Sequence, residues 1–434
     1  MDWALAIVAL TLLGVAAISR RLYGTAVTPA MVFVAVGVLV GPKVLGEIDL
    51  ESSSATVRAL AEATLALVLF CDASRIDLGL LRRHAGVPLR LLGIGLPLTI
   101  ALGAVSAAVI FDRLTVEEAL ILAIVLAPTD AALGQAVVTE PRIPGRIRQG
   151  LNVESGLNDG ICVPLLFAAV ALADVESEIS EGRSAATLVL EEIGYGVVGG
   201  VVGGLLVAAI VIHAGRRGLI AGQWRQVIPG AGAALAYGTA AALGGSGFIA
   251  AFVAGMTFRL ALGKDPEHIN ELSEQVGNVL NGVTFVLFGA ILLGPALGEL
   301  SWELALYAVL SLTIVRMLPV AVAMVGTRAR PPTLGFLGWF GPRGLASIVF
   351  AVIVVEESNL PHEHLIVLAI YLTVGLSVFA HGLTASRLAG RYASWYERHP
   401  RDKPPPMESA PTDVTRARGP VKQLTAAEPV PPGR

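Results

Sequence analysis

Charged residues are scarce in this chain. Only 15% of its 434 residues are Asp, Glu, Lys or Arg, whereas soluble domains carry about 25%. Hydrophobic residues make up 54% of the chain, and its mean hydropathy is +0.72. This composition excludes an ordinary soluble domain and indicates a polytopic protein embedded in the lipid bilayer.

Cysteine and the common enzyme motifs are also nearly absent. Cys71 and Cys162 lie in or at the end of apolar segments, so neither a disulfide framework nor a thiolate metal site is indicated. The chain contains no His-Glu-Xaa-Xaa-His run and no Gly-Xaa-Gly-Asp run. These absences disfavour a zinc enzyme and an intramembrane aspartyl protease. We therefore expect no cofactor, no nucleic-acid partner and no enzymatic activity.

Apolar runs of membrane-spanning length recur along the chain. A transmembrane helix needs about 20 mostly apolar residues, and the sequence predicts thirteen such spans. They are 3–20, 24–41, 56–73, 87–111, 117–138, 150–173, 186–213, 226–243, 246–262, 271–294, 301–325, 333–356 and 364–386. The eighth and ninth spans are separated only by a turn at Gly244 and Gly245.

The loop charges agree with this count. If the N-terminus lies outside, the cytoplasmic loops carry 15 Lys and Arg residues and the opposite loops carry four, as the positive-inside rule requires. We therefore expect a multi-pass protein of the inner (plasma) membrane with an external N-terminus. The polar, proline-rich residues 391–434 are predicted to form a disordered cytoplasmic tail.

The thirteen spans divide as six, one and six. Two six-helix units joined by one linker helix are inverted relative to each other, a common transporter plan. Spans 5 and 12, at matching positions, are interrupted by proline and glycine at 127–130 and 341–344, and proline breaks helices. We predict an all-α polytopic membrane fold of about 13 helices in two inverted repeats, with spans 5 and 12 crossing as broken helices beside a midplane site.

Three carboxylates lie inside apolar segments near the first break. Asp130 is in the break, and Glu154 and Asp159 are in span 6. A charge inside the bilayer costs roughly 2.5–3.5 kcal/mol on insertion scales, which indicates that these residues are functional. At 3.6 residues per turn, Ser155 and Asp159 share one helix face, and Glu154 and Asn158 share the neighbouring face.

Oxygen atoms near this break are suited to a monovalent cation. Asp159, Ser155 and Thr129 would bind Na⁺, together with carbonyl groups freed where span 5 unwinds. Asp130 either contributes to the ion site or caps the broken helix. Asn158 is expected to hydrogen-bond the broken helices rather than to bind the ion.

Two arginines also lie in apolar spans. Arg316, in span 11, requires a partner, and we prefer Glu154, because this pair neutralises both charges and ties span 11 to span 6. Arg343, at the break of span 12, either compensates the negative ends of half-helices or pairs with Asp130. Asp159 is then left to hold a proton or a cation, but not both, which predicts exchange of one cation per proton.

Short motifs resemble the NhaP/NHE branch of the cation:proton antiporter superfamily over nearly all the spans. They are PTDAAL (128–133), ESGLNDG (154–160), GSGFIAAFVAG (245–255), IVRMLPV (314–320), GPRGLAS (341–347) and HGLTA (381–385). The resemblance implies a transmembrane antiporter domain over 1–390 and a homodimer. Its parts would be an interface domain (1–86 and 220–295), a core domain (87–173 and 300–390) and a linker helix (186–213).

The resemblance also assigns roles to individual residues. The family's ion-binding residues fall on Thr129, Asp130, Glu154, Ser155 and Asp159, and its ion-pair arginine falls on Arg316. In that family an Asn-Asp pair, here Asn158-Asp159, marks electroneutral exchangers. Gly156 departs from the pattern, because many members carry a bulkier residue there.

The expected function is therefore electroneutral 1:1 exchange of Na⁺ or Li⁺ for H⁺ by alternating access, in the service of pH homeostasis. The alternatives are a K⁺/H⁺ or broad monovalent cation/H⁺ antiporter, a channel, a non-transporting sensor and, least favoured, an intramembrane aspartyl-type enzyme. His381 is expected to pack rather than to relay protons, and Asp72 is expected to be a span-boundary residue. A pH-sensing role for His362 and His364, in an outer loop, is not favoured.

Overall fold

A computed structural model describes most of the chain. The described residues are 2–22, 25–42, 54–75, 86–130, 133–134, 137, 140–173, 185–263, 269–357, 360–399 and 405–409. Within these ranges the chain forms helices and loops and contains no β-strand, so the prediction of an all-α protein is confirmed for the described part. The acidic loops predicted to lie outside the membrane at 43–53 and 174–184 fall outside the described residues.

The first half of the chain contributes α1 to α7. They are α1 (Asp2–Leu22), α2 (Pro29–Val40), α3 (Ser54–Arg75), α4 (Gly86–Ile110, with a π-helical stretch at Leu91–Gly95), α5 (Val116–Val125), α6 (Gly145–Ala173) and α7 (Ala185–Arg216).

The second half contributes α8 to α15, preceded by a helical turn at Gly222–Arg225. They are α8 (Ile228–Ala242), α9 (Gly247–Leu262), α10 (Glu271–Glu299, with a π-helical stretch at Phe288–Leu293), α11 (Trp302–Leu312), α12 (Ile314–Ala323), α13 (Pro331–Trp339), α14 (Leu345–Glu357) and α15 (Glu363–Glu397).

Short hydroxyl side chains begin several of these helices. Thr28, Ser246 and Ser301 each accept a hydrogen bond from a backbone N–H in the first turn of α2, α9 and α11, which satisfies a donor that has no partner inside the helix. Gly244 has a φ of +79° and so forms the turn between α8 and α9 that the sequence predicts.

Several helices have the length and apolarity of membrane spans. In the described residues, six qualify: Gly86–Ile110, Gly145–Ala173, Leu190–Arg216, Glu271–Glu299, Trp302–Ala323 and Glu363–Glu397. Shorter apolar helices accompany them at Pro29–Val40, Gly247–Leu262 and Leu345–Val355. The chain is therefore a multi-pass membrane protein, as its composition predicts.

The predicted helix breaks are present, and there is one more. The first half of span 5 ends at Val125, and 128–130 are not helical. Span 12 stops at Trp339 and resumes at Leu345. Span 11 is also interrupted, at Thr313, whose hydroxyl donates to the Val309 carbonyl at 2.6 Å. Thr313 itself has non-helical dihedral angles (φ −111°, ψ −93°), and the spacing of apolar residues did not reveal this interruption.

The helices pack in two groups with α6 between them. In one group α3 contacts α8, α9 and α10, and α10 also contacts α2. In the other group α4 contacts α5, α11 and α12, α12 contacts α13, and α15 contacts α11 and α14. Helix α6 contacts α3, α7 and α9 on one side and α4, α5 and α14 on the other. Residues on α6 are thus placed where the two groups meet.

The C-terminal part is more ordered than the sequence predicts. Helix α15 continues to Glu397, beyond the expected start of the tail at residue 391. Within the tail, Met407 is 4% exposed and Glu408 is 1% exposed. The prediction of disorder is therefore wrong for 391–399 and 405–409, whereas 400–404 and 410–434 lie outside the described residues.

Candidate functional site

The break of span 5 is held by two side chains from α6. The Ser155 hydroxyl donates a hydrogen bond to the Thr129 carbonyl oxygen. The Asn158 amide nitrogen donates to the Thr129 hydroxyl at 2.8 Å. Asn158 therefore binds the broken helix, the role that its position suggested. These bonds bring Thr129 against the face of α6 that carries the candidate ion ligands.

Each broken span completes the hydrogen bonding of the other. The Asp130 N–H donates to the Pro342 carbonyl at 2.7 Å, and the Leu345 N–H donates to Asp130 Oδ2 at 3.1 Å. Asp130 thus caps the N-terminus of α14, where a negative charge is favourable. A side chain at Gly344 would collide with the Asp130 carboxylate, so this crossing requires glycine there.

Arg343 donates hydrogen bonds to carbonyl groups at the C-terminal end of α5. Its Nη1 donates to the carbonyl oxygens of Ala127 at 3.0 Å and Pro128 at 3.3 Å. Nearby, the Ser347 hydroxyl donates to the Val125 carbonyl at 2.7 Å. These are carbonyl groups that a helix end leaves without partners. Arg343 therefore takes the first of its two expected roles, compensation of a negative half-helix end.

His381 on α15 supports the break of span 12. Its Nε2 lies 2.9 Å from the Trp339 carbonyl oxygen, and its ring stacks on the Trp339 indole with centroids 5.0 Å apart. Its Nδ1 lies 3.2 Å from the Ser377 hydroxyl, which accepts from the Arg343 N–H at 2.7 Å. These contacts give His381 a packing role. The contribution of Ser377 was missed, because nothing in the sequence shows which residue a hydroxyl on α15 faces.

Glu154 and Arg316 form the buried ion pair that the sequence analysis preferred. Two parallel bonds join them, of 2.5 Å (Nη1 to Oε1) and 2.9 Å (Nη2 to Oε2), and each side chain is 2% exposed. Such bidentate pairs are the strong ones. The guanidinium also lies against Gly341, where a Cβ would come within 2.9 Å of its Cζ. The pair thus links α6, α12 and the break of span 12.

The two aspartates of the site are more exposed than its other charged groups. Asp130 and Asp159 are 9% and 8% exposed, whereas Arg343 is 0% exposed. Asp159 lies one turn along α6 from Ser155, which is 5% exposed. The Asp159 carboxylate therefore lies on the same face of α6 as Ser155, whose hydroxyl binds the Thr129 carbonyl, and these oxygen-bearing residues are the candidate cation ligands.

Two glycines of α6, next in sequence to Ser155 and Asp159, face the other helix group in different ways. A Cβ at Gly156 would meet only the Cβ of Asp72, at 3.7 Å, so there is room beside Ser155. At Gly160, one turn further, a Cβ would come within 2.6 Å of the Phe252 ring, so the helices are in tight contact. Asp72 and Phe252 border the site, although the sequence analysis gave them no place there.

Glu140 and Arg142 form a charged pair outside the membrane-spanning segments, in the loop before α6. Arg142 Nε donates to Glu140 Oε1 at 2.8 Å. This hydrogen bond is the main reason why the pKa of Glu140 lies below its usual value. The pair is partly exposed, with 47% of the Arg142 side chain and 23% of the Glu140 side chain accessible. It therefore serves as a partly exposed ion pair with which the buried Glu154–Arg316 pair can be compared.

Two broken helices that cross beside buried carboxylates, in a multi-pass helical protein, are an arrangement typical of the class of secondary transporters. The sequence matches the transmembrane sodium/hydrogen exchanger family over residues 7–390, and the chain belongs to this family. The resemblance drawn from the motifs is thereby confirmed, and the prediction of a transporter rather than an enzyme agrees with it.

Individual relatives agree with the family. The chain is 28% identical to the K⁺/H⁺ antiporter NhaP2 of Shewanella oneidensis over 375 residues, which are 83% of this chain and 62% of that protein. It is also 28% identical to a Na⁺/H⁺ antiporter of Schizosaccharomyces pombe, over 56% of this chain and 54% of that protein. The chain therefore spans less than two thirds of the length of either relative.

A solved structure shares the fold. The sodium proton antiporter MjNhaP1 of Methanocaldococcus jannaschii, determined at pH 8, superposes with a TM-score of 0.73 at 19% sequence identity. The match covers 90% of this chain and 98% of that one. This likeness concerns the architecture of the helices.

Proposed function

We propose that the chain is an antiporter that exchanges a monovalent cation, Na⁺ or Li⁺ in the first instance, for H⁺. The observation that carries the proposal is the arrangement at the first break, where Ser155 and Asn158 hold Thr129 against the helix face that carries Asp159. Family membership supports it independently. A cation and a proton compete for the Asp159 carboxylate, and Ser155 and Thr129 supply further oxygens to the cation.

The proposed stoichiometry is one cation per proton. The charge of Glu154 is offset by Arg316 through two hydrogen bonds, so this pair contributes no net charge in either loaded state. The Asp159 carboxylate is neutralised equally by one proton or one monovalent cation. The loaded site therefore carries the same charge in both directions, which makes the exchange electroneutral.

The movement that we propose is alternating access by one helix group against the other. The division into an interface domain and a core domain is supported by the two packing groups, since α6 carries the site at their boundary. The proposal includes thirteen spans in two inverted repeats, an external N-terminus, a cytoplasmic tail and a homodimer. An empty site carries an uncompensated charge and crosses poorly, which couples the two fluxes.

A K⁺/H⁺ antiporter is the second candidate, and one observation favours it. Gly156 leaves room beside Ser155, because a Cβ there would meet only Asp72 at 3.7 Å. A wider pocket suits a larger cation. The similarity to NhaP2, which is named a K⁺/H⁺ antiporter, points in the same direction.

The proposal is tested by reconstituting the purified protein in liposomes that contain a pH-sensitive dye. Na⁺, Li⁺, K⁺ and Rb⁺ are added in turn to an imposed proton gradient, with and without a voltage clamp. We expect Na⁺ and Li⁺ to release protons at a rate that the clamp does not change. Asp159→Asn should abolish the response, whereas Glu140→Gln, which removes a partly exposed carboxylate, should retain it.

Other results would redirect or overturn the proposal. A response to K⁺ as strong as that to Na⁺ establishes the second candidate. A clamp-dependent rate refutes the electroneutral stoichiometry. If no cation moves protons between about pH 5 and 9, the protein is not an antiporter of these ions.

A further inference from the structure

The two half-helices that enter the breaks begin in different ways. Helix α5 has a complete capping box, in which the Thr115 hydroxyl accepts from the Glu118 N–H and the Glu118 carboxylate accepts from the Thr115 N–H at 2.9 Å. Helix α13 begins after Arg330, whose side chain makes no capping bond. Its N3 residue is Thr333, which is too short to reach back to the Arg330 N–H as a capping-box glutamate does.

A residue of the tail supplies the missing bond. Glu408 Oε1 accepts from the Arg330 N–H at 3.0 Å and from the Thr333 hydroxyl at 2.6 Å. Glu408 thus places a carboxylate where Glu118 places one on α5, although it lies 78 residues from Arg330. Its charge also faces the positive end of a helix dipole.

The rest of the segment Pro405–Ser409 is built to hold this contact. Ser409 donates to the Pro405 carbonyl through its N–H at 3.0 Å and its hydroxyl at 2.7 Å, which closes a turn around Glu408. Met407 belongs to an apolar cluster with Phe336 of α13 and Tyr392 of α15. The segment is therefore packed onto the ends of two helices.

We propose that Glu408 is a positioning residue for the transport site. Helix α13 is nine residues long and leads directly into 340–344, where Gly341 touches Arg316 and Gly344 touches Asp130. A shift of α13 is therefore carried directly into the break whose glycines lie against Arg316 and Asp130. The segment Pro405–Ser409 is part of the transport unit, not a dispensable tail. The effect on transport rests on the proposed antiport, whereas the effect on α13 does not.

Matched truncations test this. A chain that ends after Ser409 keeps the cap, and a chain that ends after Pro404 loses it. We expect the longer chain to match the full protein. In the shorter chain, amide hydrogen exchange at Arg330 and Thr333, which flank the two prolines at the start of α13, should be about fivefold faster, the typical effect of losing a cap. Its KM for the cation should rise severalfold, because the break of span 12 is less well placed.

Point variants separate the cap from other effects of the tail. Glu408→Ala should reproduce the short chain, and Glu408→Gln, which retains an acceptor, should resemble the full protein. Thr333→Glu in the short chain should rescue KM, because it restores a capping box within α13. If the short chain fails to assemble, Glu408→Ala alone decides the matter.

The two kinds of readout have separate meanings. Unchanged exchange at α13 after loss of Glu408 overturns the cap. Faster exchange with an unchanged KM overturns the positioning role and leaves a structural one. A full-length protein that transports no cation refutes the antiport itself, whereas the exchange rates still report on the cap.

Discussion

Removing one partner of the Glu154–Arg316 pair should destabilise the protein far more than removing both. Arg316→Met leaves the Glu154 carboxylate buried and uncompensated, and Glu154→Gln leaves the guanidinium in the same position. Each side chain is 2% exposed, so water cannot replace the lost partner. The double variant contains neither charge and has nothing to compensate.

The geometry sets the size of the effect. Both bonds of the pair are short, 2.5 Å and 2.9 Å. Loss of one partner of such a buried pair costs about 3–5 kcal/mol, whereas replacing the whole pair is often neutral. At 1.4 kcal/mol per tenfold change, each single variant should shift the folding equilibrium by roughly a hundred- to a few-thousand-fold. The double variant should recover most of this loss.

A double-mutant cycle measures this coupling. The four proteins are unfolded in detergent by heat and denaturant, and the folded fraction is followed by size-exclusion chromatography. The Glu140–Arg142 pair serves as the control: it is partly exposed, and its coupling should not exceed about 1 kcal/mol. Additive losses at Glu154 and Arg316 would refute the reasoning, because they would mean that neither charge depends on the other.

Two glycine substitutions should also impair the protein. Gly344→Ala places a methyl group against the Asp130 carboxylate, where the two broken spans cross. We expect loss of cation-driven proton flux and a lower melting temperature. Gly160→Ala places a methyl group against the Phe252 ring between the two helix groups, and we expect slower flux in the liposome assay. Gly335→Ala is the control for both, because a Cβ there has no neighbour within 4 Å, and an equal loss in that variant would contradict both expectations.

Much of the site was predictable because a bilayer makes buried charge costly. Arg316 in an apolar span required a partner, and Glu154 was an available carboxylate in another apolar span. Proline and glycine marked both breaks, since these residues act on the backbone locally. In each case the physical requirement can be stated from a few adjacent residues.

Sequence reasoning missed two features, one local and one that depends on a partner far away in the chain. The interruption at Thr313 has no proline or glycine to mark it, and the same hydroxyl-to-carbonyl bond occurs at Thr64 and Thr373 inside unbroken helices. The order at Glu408 depends in part on the Arg330 N–H, which lies 78 residues away and has no partner in its own helix. Hydrophobic periodicity carries no information on either event, so the tail appeared featureless.

The mutual completion of the two breaks has a consequence for how the protein is made. The bond between Asp130 and Leu345 spans 215 residues of sequence. At a synthesis rate of about 5–20 residues per second, the ribosome needs roughly 10–40 s to supply the second partner. During that interval the break of span 5 lacks the hydrogen-bond donors that Arg343, Leu345 and Ser347 later provide. The candidate ion site is therefore assembled late, when translation of the chain is nearly finished.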